Sequence, residues 1–188
     1  MTDKTIEKTF IGANDLLRDS IALAMRILRS GFRPSHIVGV WRGGAPVGIA
    51  VQEVLEYHGL QTDHIAIRTS SYYGIDKQAA LVKVYALDYL VDTLRPENTV
   101  LLVDDVFDSG RSIEAILAEL ARRCRNNLAW DIRVATVYYK PLRNKTALKP
   151  DYFVHETDRW LVFPHELKGL TREEILASKP VDAGFFAP

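Results

Sequence analysis

The sequence has very little cysteine and no excess of either charge. Cys124 is the one cysteine among 188 residues, so no disulfide can form within the chain, and a reducing cytosol is the expected compartment. Lysine plus arginine and aspartate plus glutamate both total 24. A molecule without net charge has no overall field that attracts DNA, RNA or an anionic membrane, so any anion must be bound locally.

Long apolar runs and two common nucleotide-binding motifs are also missing. No stretch approaches the roughly 20 apolar residues that a membrane span needs, and residues 1–10 lack the apolar run of a signal peptide. We therefore expect a cytoplasmic protein with no membrane or nucleic-acid partner. The G-x-x-x-x-G-K-[ST] motif of P-loop nucleotidases does not occur, and Gly43-Gly44 lacks the G-x-G-x-x-G spacing of dinucleotide-binding enzymes.

Strand and helix patterns alternate along the chain. This alternation predicts an α/β fold with a doubly wound, mostly parallel sheet, in a single domain over residues 1–188. Thr171 with Glu174 three residues later predicts a capping box at the start of a short last helix. Strands are predicted at residues 36–41, 64–68, 82–85, 99–103, 131–139, 152–154 and 160–163, and longer helices at 45–57 and 112–123.

Other local signals are weaker. Asn14 or Asp15 can cap a first amphipathic helix, which Gly31 then ends. Residues 69–80 lack apolar periodicity and are predicted to form a mobile loop, from which the strand at 82–85 returns. The end of the chain, residues 183–188, is expected to be frayed.

The most informative stretch runs from Val100 to Ser112. It combines an apolar strand, the carboxylates Asp104 and Asp105, a short polar turn with glycine, and a helix start. In an open α/β sheet, ligands bind beyond the carboxyl ends of strands, where such a turn lies. The N–H groups, hydroxyls and guanidinium of residues 108–112 suit a phosphate. Asp104 and Asp105 would repel phosphate, so they suit sugar hydroxyls or a hard cation such as Mg²⁺.

An ordinary strand-to-helix turn with solvated carboxylates is the alternative interpretation. Both features at one strand end favour a sugar-phosphate site instead. The stretch resembles the signature of the type I phosphoribosyltransferase family, which is a hydrophobic strand, two acids, two apolar residues and then Asp-Thr/Ser-Gly-x-Thr/Ser, with Arg111 at the variable position. The similarity covers roughly residues 36–166. It implies the fold of that family, in which terminal segments form a small hood beside the sheet.

The resemblance implies roles for this stretch. In the family, the paired acids bind the ribose hydroxyls of phosphoribosyl pyrophosphate (PRPP), which assigns Asp104 and Asp105 to the sugar and to Mg²⁺. Asp108 corresponds to the family's candidate base, which hydrogen-bonds the imidazole ring of the purine. The turn that holds the 5′-phosphate falls on Asp108, Ser109, Gly110, Arg111 and Ser112.

Two further segments match parts of the PRPP site. Glycines after Trp41-Arg42 let a ligand approach the backbone, and the resemblance implies a pyrophosphate loop here, Trp41-Arg42-Gly43-Gly44, in which Arg42 acts on the leaving group. Family members often carry a strained cis peptide at this point, which a sequence cannot show. The pair Ser71-Tyr72 matches a Ser-Tyr pair in the family's lid, which closes over the transition state. For the first segment the alternative is a tight strand-to-helix turn with an exposed arginine. For Ser71-Tyr72 the alternative is a plain surface loop.

The base site is implied by the 6-oxopurine branch of the family. That branch has a lysine at the end of a strand that hydrogen-bonds the purine O6, which corresponds to Lys140. It also has an aromatic residue that stacks on the purine, a next residue whose backbone reads the base edge, and a later acid that binds Mg²⁺. These roles fall on Trp160, Leu161 and Glu166. A solvated lysine, a core tryptophan and a solvated glutamate are the alternatives, and His155 and His165 are not expected to bind a metal.

The implied activity is Mg²⁺-dependent transfer of the phosphoribosyl group from PRPP to a 6-oxopurine base in purine salvage. Xanthine, guanine and hypoxanthine cannot be told apart from the sequence. One alternative is a non-catalytic regulator of the same fold that senses PRPP, and another is an enzyme for a different nucleobase. The family also implies a homodimer or homotetramer.

Overall fold

The computed structural model describes residues 7–73 and 80–186. Strands and helices alternate over most of this part of the chain. In chain order the elements are β1 (Lys8–Phe10), α1 (Ala13–Arg29), β2 (His36–Trp41), α2 (Gly44–Tyr57), β3 (Asp63–Tyr73), β4 (Ala80–Tyr85), α3 (Asp88–Thr93), β5 (Thr99–Phe107), α4 (Arg111–Cys124), β6 (Asp131–Tyr139), β7 (Tyr152–Glu156), β8 (Trp160–Val162) and α5 (Arg172–Ser178).

Six of these strands form the main sheet, in the order β4-β3-β2-β5-β6-β7. Every neighbouring pair is parallel except β3 and β4, which pair antiparallel at one edge. Strands β2 and β5 lie next to each other near the centre and carry nearly continuous buried apolar residues. Such strands are typical of a parallel sheet that is covered on both faces.

Helices cover both faces of the sheet, as the doubly wound prediction requires. On one face α1 and α2 bury Leu23, Ile27 and Leu55 against the sheet. On the other face α3 and α4 bury Leu90 and Ile116. The α/β fold with a mostly parallel sheet is therefore confirmed.

A second, two-stranded sheet forms the hood. Strand β1 near the start of the chain pairs in parallel with β8, so that Lys8 lies opposite Trp160 and Phe10 opposite Val162. Helix α5 follows β8 in the chain, and the Lys8 ammonium group contacts its Glu174 carboxylate at 2.8 Å. Segments from both ends of the chain thus meet at the strand that carries the predicted base-binding residues.

The edge hairpin corrects one prediction. The loop predicted at residues 69–80 is wrong at both of its ends, because residues 69–73 continue β3 and residue 80 begins β4. Residues 74–79 lie outside the described part of the chain. The polar run lacked apolar periodicity, but Thr and Tyr favour extended backbone, and an edge hairpin is held largely by main-chain pairing.

The ends of several elements also differ from the predictions. Gly12, in extended conformation, precedes the first residue of α1, so neither Asn14 nor Asp15 is its cap. Residues 183–186 form a short 3-10 helix rather than a frayed end, and residues 187 and 188 lie outside the described part. The capping box of Thr171 and Glu174 is present as predicted.

One strand is longer than the sequence suggested, and one helix was not predicted. Strand β5 continues through the paired acids to Phe107, because it keeps its pairing with β6 up to Tyr139. Helix α3 was not predicted, although Leu87, Leu90 and Leu94 are buried at helical spacing and could have indicated it. No helix in the described residues is long and apolar enough to cross a bilayer.

Candidate active site

The floor of the site is where the pairing of β2 with β5 stops, at Gly39 and Val103. A side chain at Gly43 would place its Cβ 1.9 Å from Asp105 Oδ2, and one at Gly44 would place it 2.2 Å from the Val103 carbonyl oxygen. Both distances are far below any non-bonded contact between real atoms. At Gly44 the contact is with main chain, so only glycine fits there, whereas a side chain at Gly43 would displace the Asp105 carboxylate. The two glycines let the start of α2 lie directly against the carboxylates of β5.

The segment before these glycines faces the open side of the cleft. The peptide bond between Trp41 and Arg42 is cis. The Trp41 side chain is 55% exposed, and Arg42 is exposed beside it. A guanidinium group is thereby available in the same cleft as the paired acids.

The paired acids are held in an electrostatically unfavourable state. Asp105 is buried, and its pKa is raised to about 6, because burial and the Glu166 carboxylate together outweigh a hydrogen bond with Asp104 that lowers it. Burial and then the charge of Asp105 raise the pKa of Asp104 well above its usual range. The Asp105 N–H donates to Asp104 Oδ1 at 3.0 Å, and the Gly44 N–H also donates to this carboxylate. These contacts only partly replace water, so the pair favours a ligand that supplies hydroxyl donors or positive charge.

The turn after β5 forms a small cavity of its own, of about 80 Å³, that is lined by residues 104, 106–110, 112 and 113. Gly110 has a φ of +76°, and a Cβ there would lie 2.5 Å from Thr146 Oγ1. The left-handed turn leads directly into α4, whose first N–H groups have no partner within the helix. The Ser112 hydroxyl accepts a weak hydrogen bond from Thr69 Oγ1 at 3.4 Å. Size, backbone donors and helix direction all suit a phosphate group.

Asp108 differs sharply from the two acids before it. Lys140 Nζ lies 3.0 Å from its Oδ2, and Arg143 Nε lies 2.8 Å from its Oδ1. Burial alone would raise the pKa of Asp108, but the hydrogen bonds and charges of these two cations outweigh it and lower the pKa. The Lys140 side chain is only 6% exposed, so Asp108 is the main partner of its charge.

The opposite wall comes from β8 and the turn after it. Trp160 is 47% exposed over the cleft, while Leu161 is buried and Phe163 packs below. Glu166 does not point freely into the cleft, since its Oε2 accepts a hydrogen bond from the Phe163 N–H at 3.0 Å. His165 stacks on Phe163, and its Nε2 lies 3.6 Å from Asp105 Oδ2.

These walls enclose one cleft of about 340 Å³. The cleft brings together ten of the residues that the sequence assigned to the site. They are Trp41, Arg42, Gly43, Asp104, Asp105, Asp108, Lys140, Trp160, Leu161 and Glu166.

The other residues assigned to the site lie outside this cleft. Ser109, Gly110 and Ser112 line the adjoining small cavity. Gly44 is buried beneath the floor, and Arg111 is exposed at the first residue of α4. The Ser71-Tyr72 pair belongs to β3 by its backbone, and its side chains lie outside the described part of the structure.

Sequence reasoning missed some residues of the cleft. Arg143 lines it and pairs with Asp108, and Thr69 and His165 also line it. Arg143 follows Lys140 by three residues across a short 3-10 helix, which brings both cations to one carboxylate. No periodic pattern or motif marks that turn, so only the spacing of two basic residues after a strand could have suggested it.

A preformed metal cage is absent from the part of the chain that the structure describes, because no three His, Cys, Asp or Glu side chains there are arranged to surround an ion. Asp104, Asp105 and Glu166 therefore do not make a closed three-ligand site. Magnesium commonly binds through one or two carboxylates and completes its shell with water and substrate phosphates. The open pair Asp104 and Asp105 fits that mode of binding.

Comparison with known proteins places this cleft in a family. Residues 12–168 match the family described as "Phosphoribosyl transferase domain". The chain belongs to this family. A hypoxanthine-guanine phosphoribosyltransferase of Lactococcus lactis is 30% identical over 80% of this chain and 76% of its own length. A xanthine-guanine phosphoribosyltransferase of Desulfotalea psychrophila is 31% identical over 87% of this chain and 89% of its own length.

Solved structures agree on the fold of this phosphoribosyltransferase. A purine phosphoribosyltransferase from Pyrococcus horikoshii superposes with a TM-score of 0.70 at 24% identity, over 88% of this chain and 98% of the other. This superposition agrees with the observed fold, and the match over residues 12–168 confirms the sequence-based assignment to the family.

Proposed function

We propose that this phosphoribosyltransferase transfers the 5-phosphoribosyl group from PRPP to a 6-oxopurine base. The products are a purine nucleoside 5′-monophosphate and pyrophosphate, as purine salvage requires. The observation that carries the proposal is one cleft in which paired acids and a phosphate-sized turn face a lysine and an exposed tryptophan. The relatives named for xanthine, guanine and hypoxanthine support the choice of base.

The sugar phosphate fits the floor of the cleft. Asp104 and Asp105 bind the ribose hydroxyls, which supply the donors that these desolvated carboxylates lack. The 5′-phosphate occupies the small cavity at the start of α4, where the N–H groups of residues 109–112 donate to it. The pyrophosphate lies toward the Trp41–Gly44 segment, and Arg42 offsets the charge that develops on the leaving group.

A magnesium ion is part of this proposal. Burial raises the pKa values of Asp104 and Asp105, and neighbouring carboxylates raise them further, which is the environment that a divalent cation relieves. Asp104 and Asp105 would hold the ion, which would supply charge neutralisation for the departing pyrophosphate. Glu166 lies close enough to raise the pKa of Asp105, and it would hold the ion directly or through water.

The purine fits between Trp160 and Lys140. The exposed Trp160 ring stacks on the base, and the Leu161 backbone reads its edge. Lys140 donates to the purine O6 and thereby leaves Asp108 with Arg143 as its remaining cation. Losing one of two cations raises the proton affinity of Asp108, which suits it to accept the proton of the base nitrogen.

A PRPP-sensing regulator of the same fold is the second candidate. Such a protein needs a nucleic-acid surface, and the small basic cluster at the end of α4 is largely neutralised. Arg122 pairs with Glu119 at 2.6 Å, and Arg123 pairs with Asp88 at 2.6 Å. Of this cluster's three arginines, Arg125 alone makes no ion pair with another described residue. The enzyme is therefore favoured, acting in the cytoplasm as a homodimer or homotetramer.

A base panel tests the proposed function. Purified protein is mixed with PRPP, Mg²⁺ and one base at a time, and pyrophosphate release is measured. We expect turnover with at least one of xanthine, guanine and hypoxanthine and none with uracil or orotate. Turnover only with a pyrimidine or with adenine overturns the roles of Lys140 and Trp160. Tight binding to nucleic acid without any turnover favours the regulator.

A further inference from the structure

A buried lysine in the C-terminal segment has no role in the reaction described above. Lys179 directly follows α5 and is only 9% exposed. Its Nζ donates to the carbonyl oxygen of Phe163 at 2.7 Å and, more weakly, to that of Pro164 at 3.4 Å. Burial lowers the pKa of this ammonium group, and the nearby Glu166 carboxylate acts in the opposite direction. Lysine is rarely buried without a specific partner.

The two carbonyl groups belong to the turn that forms one wall of the cleft. The Glu166 N–H donates to the Phe163 carbonyl oxygen at 3.0 Å, and the Phe163 N–H donates to Glu166 Oε2 at 3.0 Å. Lys179 adds a charged donor to the same Phe163 oxygen. With the weaker bond to Pro164, four hydrogen bonds converge on this peptide segment, and the two from Lys179 come from outside the turn.

This turn is continuous with the base-binding strand. Phe163 follows β8 directly, so its carbonyl group lies three residues after Trp160 and two after Leu161. Phe163 and Glu166 both line the cleft. A displacement of the turn would move β8 along or across the purine site.

The structure also fixes the position from which Lys179 reaches the turn. The Lys179 N–H donates to the Ile175 carbonyl oxygen at 2.8 Å, and the Ile175 side chain is buried. The capping box at Thr171 starts α5, and Glu174 joins the helix to Lys8 of β1. Because β1 in turn pairs with β8, α5 is tied to the base-binding strand on two sides.

We infer that Lys179 is a positioning residue for the purine: its buried ammonium group fixes the Phe163–Glu166 turn and thereby the height of Trp160 and Leu161 over the cleft. This inference rests on the proposed function. It assigns the C-terminal segment a specific task in base recognition, separate from the PRPP site on the main sheet.

The test replaces Lys179 with Met, which keeps most of the side-chain length and removes the donor. Loss of a hydrogen bond from a charged group should raise the KM for the base about tenfold or more, while kcat and the KM for PRPP stay within about twofold. Lys168→Met is the matched control, because Lys168 is exposed in the same segment. Lys179→Arg retains a charged donor, and its KM for the base should lie between those of wild type and Lys179→Met.

Hydrogen exchange supplies a readout that does not depend on activity. In Lys179→Met, amides of residues 160–166 should exchange faster, while those of β5 and β6 keep wild-type rates. Unchanged exchange and an unchanged KM for the base in an active protein overturn the inference and leave the proposed function standing. The inference is also overturned if both KM values rise, kcat falls and amides throughout the sheet lose protection together. Lys179 would then serve general stability. A wild-type protein inactive with every purine overturns the proposed function and the link to base binding together.

Discussion

The sugar-phosphate half of the cleft and the base half are built in different ways. The first lies on two adjacent central strands, β2 and β5, and its groups come from two short stretches of chain. The second is assembled from Lys140 at the end of β6, Trp160 on β8, and supports from β1 and α5. The first half depends on close backbone approach, and the second depends on contacts between segments far apart in sequence.

The electrostatics of the two halves differ as well. Asp104 and Asp105 have raised pKa values because they are buried with too few donors. Asp108, at the boundary with the base half, has a lowered pKa because Lys140 and Arg143 hold it. The sugar-phosphate half is therefore poised to bind donors and cations, whereas the base half begins with its charges already paired. Four substitutions test this contrast.

Asp108→Asn should have the largest effect. It keeps the size of the side chain but removes the carboxylate that accepts the proton of the base, so kcat should fall about 10²- to 10⁴-fold. Steady-state pyrophosphate release measures the change. Asp92→Asn, at an exposed position on α3, is the control and should leave kcat unchanged. A kcat for Asp108→Asn within a few-fold of wild type contradicts the assignment.

Gly44→Ala tests the backbone contact under the sugar-phosphate half. The new methyl group would collide with the Val103 carbonyl oxygen, which is main chain and cannot rotate away. Overpacking of this kind should lower the free energy of unfolding by about 3 kcal/mol, measured by urea denaturation. Gly48→Ala in the same helix is the control, because its Cβ would lie at an ordinary 3.7 Å from Gly39 Cα. Equal stability of the two variants would show that α2 does not press on β5 as described.

Asp105→Asn should stabilise the protein while impairing PRPP turnover. A carboxyl group whose pKa rises from 3.8 unfolded to about 6 folded contributes stability below pH 3.8 and loses it as the pH rises through about 6. At pH 7 the ionised group thus costs about 3 kcal/mol, which the neutral amide avoids.

The pH dependence separates this cause from simple repacking. Between pH 7 and pH 5 the wild type should gain about 1 kcal/mol relative to Asp105→Asn in urea denaturation. A constant difference between the two proteins over this range would mean that the charge of Asp105 is not the source of the effect.

Trp160→Ala should have the smallest effect and affect only the base half. Stacking of a base on an aromatic ring contributes about 1–3 kcal/mol, so the KM for the purine should rise at least about fivefold. The KM for PRPP should not change. Trp130, which is 83% exposed and remote from the cleft, provides the control variant Trp130→Ala. A rise in the KM for PRPP as large as that for the purine would contradict the separation of the two halves.

The contrast between the halves also explains what could be predicted from the sequence. The sugar-phosphate half is encoded locally, since a strand, two acids, a glycine turn and a helix start follow one another from Val100 to Ser112. Family membership and the parallel sheet could be read from that stretch and from the alternating pattern, and both are confirmed. Gly43 and Gly44 could be recognised in the same way, because they directly follow a predicted strand.

The supports of the base half could not be predicted in this way. Lys179 and Lys8 look like ordinary solvated lysines in the sequence, and their partners lie 16 and 166 residues away. The pairing of Arg143 with Asp108 likewise spans 35 residues. Such contacts join segments that are far apart in the sequence, and apolar periodicity does not reveal them. Residues 69–73 were not predicted as a strand because their side chains show no apolar periodicity. The strand is defined by its backbone pairing with β4.

A crystal structure of the protein with PRPP and Mg²⁺ tests the central claim most directly. The account predicts that the ribose hydroxyls lie within hydrogen-bond distance of the Asp104 and Asp105 carboxylates. It also predicts that the 5′-phosphate of PRPP lies in the turn of residues 108–112, against the start of α4. A PRPP molecule bound elsewhere, with this turn empty and the two acids facing only water, would contradict it.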